Sequence, residues 1–414
     1  MISTVEALGF RCLKYVRQDL DTFHILIGPN ASGKSTFLDV IRFLGDLVSG
    51  GLDAALRERT DNLEDLVWRH QGGRFELAIE ASIPKTQRRH LADQAYAICR
   101  YEVTVAIDSG SGENVIAAER VLLLPEGHRA QSQRSLFPES VVHPNTLQIK
   151  KPDGNRTVVH KVTGGNDRFC SETGKEWEHT FRLGPRKSAL ANLPEDEQKF
   201  PVSTWFKRAL IDGVQSLALN SSLMRRPSPP GQARGFRPDG SNLPWVVDEL
   251  ARRAPERLEE WVGHLRTALP DLADVCTVER EEDRHRYLAI TYADGLKVPS
   301  WMVSDGTLRL MALTVLAYVP DLTGVYLIEE PENGIHPRAV ETVFQSLSSV
   351  YDAQVLLATH SPVILSLAHP EQILCFAKSP DGATDVVEGS KHPALRNWKG
   401  ETNLGVLYAA GILQ

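Results

Sequence analysis

The chain has 414 residues, 42% of them apolar, which is enough for two or three structural units around a substantial core. Lys and Arg number 46 against 53 Asp and Glu, and the resulting net charge of −7 excludes nucleic-acid binding by bulk charge while leaving room for a local basic groove. Five widely spaced cysteines without a C-x-x-C pair argue against a disulfide framework or zinc knuckle, and no leader-like start or run of about 18–20 apolar residues argues for secretion or membrane insertion, so a cytoplasmic protein is expected.

Residues 5 to 13 read as a strand, and His24-Ile25-Leu26-Ile27 is a short buried run ending at a glycine. After the glycine-rich stretch that follows, Phe37, Val40, Ile41 and Leu44 recur at i, i+3, i+4 and i+7, the spacing of a helix with one buried face. Phe75, Leu77, Ile79, Ala81 and Ile83 alternate as a strand, and residues 101–105 begin another. Between 125 and 200 the pattern is weak and broken by Gly, Pro and charge, which predicts long loops or an elaborated insertion. The run Arg225-Arg226-Pro227-Ser228-Pro229-Pro230, continuing through Gly231, Arg234, Gly235, Arg237 and Gly240, predicts a mobile basic loop.

Helical spacing returns with Trp245, Val246 and Leu250 and again with Leu258, Trp261, Val262 and Leu265; Tyr287, Ala289 and Thr291 then begin a strand that turns at Asp294-Gly295. From 298 onward the pattern sharpens. Leu308, Met311, Ala312, Val315 and Leu316 make a helix face, residues 325–328 a buried strand, Val340, Val343, Phe344 and Leu347 a second helix, and residues 355–358 a second strand. Strand, helix, strand predicts a parallel sheet with right-handed crossovers. The expected fold is α/β, its sheet formed by both chain ends: an N-terminal lobe at 1–83, a large mixed insertion at 84–297 and a C-terminal lobe at 298–414.

Gly28-Pro29-Asn30-Ala31-Ser32-Gly33-Lys34-Ser35 satisfies G-x-x-x-x-G-K-[ST] between a buried strand and an amphipathic helix, the context a phosphate loop requires. The glycines allow backbone N–H groups of Asn30, Ala31, Ser32 and Gly33 to converge on phosphate oxygens at the positive end of a helix. Lys34 is expected to reach the β- and γ-phosphates, the Ser35 hydroxyl to ligate Mg²⁺, and Thr36 to support the turn. Residues 325–328 end in Glu329-Glu330-Pro331, a strand closing on two acids. Glu329 is expected to face the metal, and Glu330 to act as general base toward the attacking water. Ser304-Asp305-Gly306-Thr307 opens a helix and makes a second anion site, better suited to the ATP of another subunit because the first loop already wraps its own. His360, within Thr359-His360-Ser361-Pro362, stands at a strand's carboxyl end, where it could sense the γ-phosphate.

Together these four elements resemble the ATP-binding head shared by ABC ATPases, the RecF and SMC group and the OLD-like AAA ATPases of bacteria. The resemblance covers about residues 1–83 and 298–370, with Asp239-Gly240-Ser241-Asn242-Leu243 a weaker echo of the OLD-like branch. It implies a P-loop NTPase of ABC-head type that binds ATP and Mg²⁺ as a homodimer or higher oligomer, with Lys34, Ser35, Glu329, Glu330 and His360 of one subunit facing the Ser304-to-Thr307 signature of the other. Glu329 in place of the more usual aspartate, and Ser-Asp-Gly-Thr in place of the transporter signature, both suit the OLD-like branch. Gln71 is the candidate for the Q-loop glutamine. The tail from Trp398 to Gly405 resembles the closing segment of stand-alone members, and no long heptad tract or nuclease domain is expected.

The resemblance therefore implies a regulatory or sensor ATPase working with a separate effector, a nuclease or toxin, in anti-phage defence or DNA maintenance. A RecF-like repair ATPase is the alternative, with Arg225, Arg226, Arg234, Arg237, Arg186 and Lys187 as DNA phosphate contacts. A transporter's nucleotide-binding subunit fits less well, given the insertion of some 200 residues between phosphate loop and signature.

Overall fold

The computed structural model describes residues 1–126, 136–139, 142–149, 154–174, 177–232, 235–395 and 403–413. Strands β1 (Ile2–Phe10), β2 (Leu13–Asp19) and β3 (Phe23–Ile27) precede the long helix α1 (Lys34–Arg57). Then come β4 (Arg74–Ser82), the single turn α2 (Lys85–Arg88), β5 (Tyr96–Ile107), β6 (Asn114–Pro125), β7 (Arg156–Val162), β8 (Asp167–Cys170) and β9 (Trp177–Phe181). A mixed stretch carries α3 (Pro201–Ile211), β10 (Val214–Leu217), α4 (Ser221–Met224), α5 (Leu243–Arg253), α6 (Pro255–Ala268), β11 (Leu272–Glu279), β12 (Arg286–Tyr292) and β13 (Lys297–Pro299). The last part alternates α7 (Asp305–Thr314), β14 (Val325–Glu329), α8 (Pro337–Ser348), β15 (Gln354–Ala358), α9 (Pro362–Leu367), β16 (Ile373–Lys378), β17 (Thr384–Glu388) and α10 (Leu404–Ala409).

The six-stranded sheet runs β10-β14-β15-β3-β16-β17, parallel except for β17. Its alternating residues divide the hydrophobic interior in two, as a period of two dictates. Leu26, Leu327, Leu356, Leu374 and Phe376 face α1 and the large antiparallel sheet, while Ile25, Ile27, Ile328, Leu357 and Cys375 face the layer of helices α5 to α9. Phe37, Val40, Ile41 and Leu44 are all fully buried on α1, in keeping with their helical spacing. Both chain ends thus build this sheet, with one difference from the expected division. Strand β10 lies inside the expected insertion yet pairs in parallel with β14, from Val214 opposite Val325 to Leu217 opposite Ile328. Gln215 and Ser216 break the apolar run that reveals the other short strands of this sheet.

An eight-stranded antiparallel sheet, β2-β1-β4-β5-β6-β7-β8-β9, occupies the other side of α1, and β11-β12-β13 form a small third sheet. The weak pattern between 125 and 200 therefore conceals three strands. On β7 and β8 the apolar alternation is interrupted by Lys161 and Asp167, which are buried against each other at 2.9 Å. A paired charge inside a strand reads from sequence as surface. The same concealment recurs on a larger scale across β1, β4 and β5. An alternating strand usually turns its polar side to water, but here Glu6, Glu76, Glu80, Arg100 and Glu102 are all buried. Residues 142–149 cross that face: Leu147 N and Thr146 Oγ1 each donate to Glu76 at 2.7 Å, and Arg100 Nη2 donates to the Leu147 carbonyl at 3.1 Å.

The stretch after Arg225 is not simply a basic loop. Arg225 caps α4, donates to the Val303 carbonyl at 2.9 Å and pairs with Asp305 at 2.7 Å. Arg186 pairs with Asp53 at 2.6 Å, and Arg234 lies outside the described residues, as do residues 398–402 of the tail. No helix among the described residues is long and apolar enough to cross a membrane.

Candidate active site at the carboxyl edge of the parallel sheet

In an open parallel sheet the loops leaving the strand carboxyl ends gather at one edge, which is where ligands bind. Strand β15 lies between β14 and β3. Its following loop, with His360, therefore emerges between the phosphate loop that follows β3 and the acids that end β14. The topology alone brings the phosphate loop together with two segments that lie some three hundred residues downstream.

The loop from Gly28 to Gly33 folds as a tight nest. Gly28 and Gly33 have φ of 146° and 105°, and Ala31 joins them in the left-handed region at 60°. Close approach reinforces the requirement for glycine: a Cβ on Gly28 would lie 2.1 Å from the Phe376 carbonyl oxygen, and one on Gly33 would lie 2.3 Å from Thr384 Oγ1. Asn30 and Ala31 remain exposed, whereas Ser32 is buried and its Oγ has no hydrogen-bond partner. Lys34 folds back so that Nζ donates to the carbonyls of Gly28 at 2.9 Å and Pro29 at 3.0 Å. Burial lowers its pKa, against the opposing pull of Glu330 and Glu329. Thr36 Oγ1 accepts from Cys12 Sγ at 3.4 Å. Trp68, Arg69 and His70 border the loop's cleft of ≈ 580 Å³, while Gln71 is not among its lining residues. A larger cavity of ≈ 1150 Å³, between α3, α5 and β10, shares no residue with the loop.

Ser35 Oγ donates directly to Glu329 Oε2 across this edge. A hydroxyl and a carboxylate held together at the exposed ends of α1 and β14 are hard oxygen donors of the kind magnesium takes, with the remainder of an octahedral shell left to water and phosphate. The nest, the orphaned Ser32 hydroxyl, the buried ammonium and this oxygen pair fit a magnesium-bound nucleoside triphosphate. Glu330, next along, is exposed, with φ of 47°, its N–H tied to the Ala358 carbonyl at 2.8 Å and its carboxylate accepting from Asn333 Nδ2. A non-glycine residue held in the left-handed region at a ligand-binding edge marks a constrained position.

Glu332 supports the neighbouring loop. Its Oε1 accepts from Thr359 Oγ1 at 2.6 Å and from the His360 N–H at 3.1 Å. Burial, followed by the charge of Lys34, lowers the pKa of His360 below its ordinary value, while Glu330 and Glu332 pull the other way. Neither Glu332 nor Tyr408, which contacts the His360 ring, stands out in the sequence, because each acts through a partner far along the chain.

None of the Ser304-to-Thr307 residues lines the loop's cleft, and neither do Glu329, Glu330 and His360. Ser304 caps α7, its Oγ accepting from Thr307 N at 3.1 Å, and Ser304 and Asp305 are exposed. Gly306 packs on the turn after the acids, where a Cβ would meet the Gly334 carbonyl oxygen at 2.6 Å. Arg225, placed among DNA contacts by its sequence neighbourhood, braces this segment through Val303 and Asp305.

The architecture is similar to that of two solved SMC heads. One is the SmcHead bound to the C-winged helix domain of ScpA, with 14% identity, a TM-score of 0.55 and coverage of 93% of this chain and 97% of that one. The other is the Smc head domain with an extended coiled coil bound to the C-terminal domain of ScpA derived from Pyrococcus furiosus, with 14% identity, a TM-score of 0.50 and coverage of 93% and 95%. At that identity the likeness shows the fold: a P-loop head of SMC type. No curated protein matches the chain. The family described as AAA domain, putative AbiEii toxin, Type IV TA system matches residues 23–90 and 158–366, more than half of the sequence and including the phosphate loop, signature, paired acids and His360, so the chain belongs to that family.

Proposed function

We propose that this protein is a magnesium-dependent ATPase of the OLD-like branch, acting as a regulatory or sensor subunit for a separate effector in anti-phage defence or DNA maintenance. The observation that carries the reading is the contact between Ser35 and Glu329, with Lys34 beside it and Glu330 one residue further on. Mg²⁺ held by Ser35 and Glu329 would draw off charge from the phosphates. Asn30, Ala31, Ser32 and Gly33 cradle the phosphate chain with their N–H groups, and Lys34 leaves the Gly28 and Pro29 carbonyls to meet it. Glu330, held in place by Asn333, takes the proton of the attacking water, and His360 meets the terminal phosphate.

The Ser304-Asp305-Gly306 segment, exposed at Ser304 and Asp305, is suited to the nucleotide of a second copy, which makes the working unit a homodimer or larger. The solved heads are bound to ScpA, and the family's description names a toxin of a toxin–antitoxin system; both support a partner protein here. A direct DNA-binding role draws less support, because Arg225 and Arg186 are engaged within the chain. Calorimetry with Mg²⁺ and ATP tests the reading: the unaltered chain gives heat of association, and Lys34→Ala abolishes it. Glu330→Gln keeps binding and loses about 100-fold or more in turnover. No heat from the unaltered chain, or full affinity in Lys34→Ala, ends the proposal.

A further inference from the structure

The final described segment, 403–413, sits on the loop that carries His360. Leu404, Tyr408 and Leu413 are buried in the second core, and α10 packs closely on α9. Gly405 allows this approach: a Cβ there would lie 2.4 Å from the Pro362 carbonyl oxygen. Asn403 caps the helix by accepting from Gly405 N at 2.7 Å. The docking places the Tyr408 hydroxyl between two parts of the site. It donates to the Gly28 carbonyl at 3.3 Å, and its oxygen lies 3.0 Å from His360 Nδ1. The Gly28 carbonyl also accepts from Lys34 Nζ at 2.9 Å.

A phenol has one proton. With that proton directed to Gly28, the contact with His360 requires a donor on the ring, so Nδ1 carries the hydrogen. We infer that Tyr408 is a positioning residue that sets the orientation and tautomer of His360, reserving Nε2 for the ligand, and that the C-terminal segment is thereby a working part of the nucleotide site.

This rests on the reading of His360 as the residue that meets the terminal phosphate. Among the described residues, the ring is faced by Lys34 from α1, Glu330 and Glu332 from the loop after β14, and Tyr408 from α10. Burial and Lys34 lower the pKa of the ring and so favour its neutral form, in which the tautomer is the property to be set. Glu332 fixes the backbone of His360 and Tyr408 fixes the ring. The arrangement is that of an outer partner orienting a ligand-binding imidazole, where loss of the partner typically costs 10- to 100-fold in function.

The test is ¹⁵N NMR of the histidine rings in the full chain without nucleotide, with the His360 signal identified by its disappearance in His360→Gln. The unaltered protein shows His360 protonated on Nδ1, and Tyr408→Phe moves the proton toward Nε2. Gly405→Ala, which keeps the hydroxyl but pushes α10 away from Pro362, gives the same change and serves if Tyr408→Phe does not fold. In both variants turnover falls about tenfold. A ring already protonated on Nε2 in the unaltered protein, or one unmoved by either substitution, overturns the inference. Because the ring signal needs no ATP, a shifted tautomer without any ATP association counts against the ATPase reading and leaves the Tyr408 contact standing.

Discussion

Two collections of polar and charged groups in this molecule are built in opposite ways. At the carboxyl edge of the six-stranded sheet, Ser35, Glu329 and Glu330 are exposed. On the eight-stranded sheet, Glu6, Glu80, Glu102 and Arg100 are sealed beneath residues 142–149, with Arg100 only 1% exposed and bonded to all three carboxylates. Groups that must meet a ligand stay open and follow short local motifs, because a loop between strand and helix can present them. Groups that meet one another are closed off, and their partners lie far apart along the chain, as Glu6 and Arg100 do. Burying such a cluster is tolerable only when every charge is paired, so the second region is a structural joint, whereas the first is open to solvent, as the proposed site of chemistry requires.

The contrast breaks most readily at Arg100. Arg100→Met strips Glu80 of its ion-pair partner and takes one partner each from Glu6 and Glu102, which keep Arg17 and Arg120; it should lower stability by about 3–5 kcal/mol, read in denaturant titration, while calorimetry below the unfolding transition gives an unchanged ATP affinity. Loss of affinity in the folded variant would mean that the two regions are energetically coupled. Arg225→Ala should act the other way. Its ion pair with Asp305 is too exposed to matter much for stability, but the Val303 carbonyl loses its donor ahead of the signature. Turnover should fall several-fold, by roughly tenfold at most, with ATP affinity of the single chain intact. Unchanged turnover would detach Arg225 from the chemistry.

A third test sharpens the comparison at a single buried acid. Burial pushes the Glu172 carboxyl up to about 7, against the N–H groups of Val202 and Ser203 that it accepts at the start of α3. An acid whose folded pKa lies above its unfolded value binds more protons when folded, so its contribution to stability falls as pH rises from about 4.5 to 7. Glu172→Gln should flatten that part of the stability curve; an unaltered slope would show that the two N–H donors keep Glu172 ionised.

Much of the parallel sheet could be read in advance. Phe37, Val40, Ile41 and Leu44 declared α1, and the Gly28-to-Ser35 and Glu329-Glu330 motifs declared the loops at either side of the edge. These features are local: a nest needs its glycines within a few residues, and an amphipathic helix needs its spacing. The strands β7 to β9 were hidden because Lys161 and Asp167 stand where apolar residues would be expected. Strand β10 was hidden because Gln215 and Ser216 interrupt its apolar run, and the contacts of Arg225 with Val303 and Asp305 were hidden because a string of arginines and prolines carries no record of which carbonyl each arginine will reach.

From the sequence alone came the α/β class, the phosphate loop after a buried strand, the paired acids, the histidine at a strand end and the pairing of both chain ends in one sheet. Each follows from hydrophobic periodicity or from residue types that a short backbone turn requires. Only the tertiary structure decided that β10 completes the sheet, that a strap closes the charged face of the larger lobe, that Arg225 braces the signature and that Tyr408 reaches both Gly28 and His360. Those contacts join residues separated by tens to hundreds of positions, and what selects them is three-dimensional complementarity of shape and charge, which no local pattern encodes.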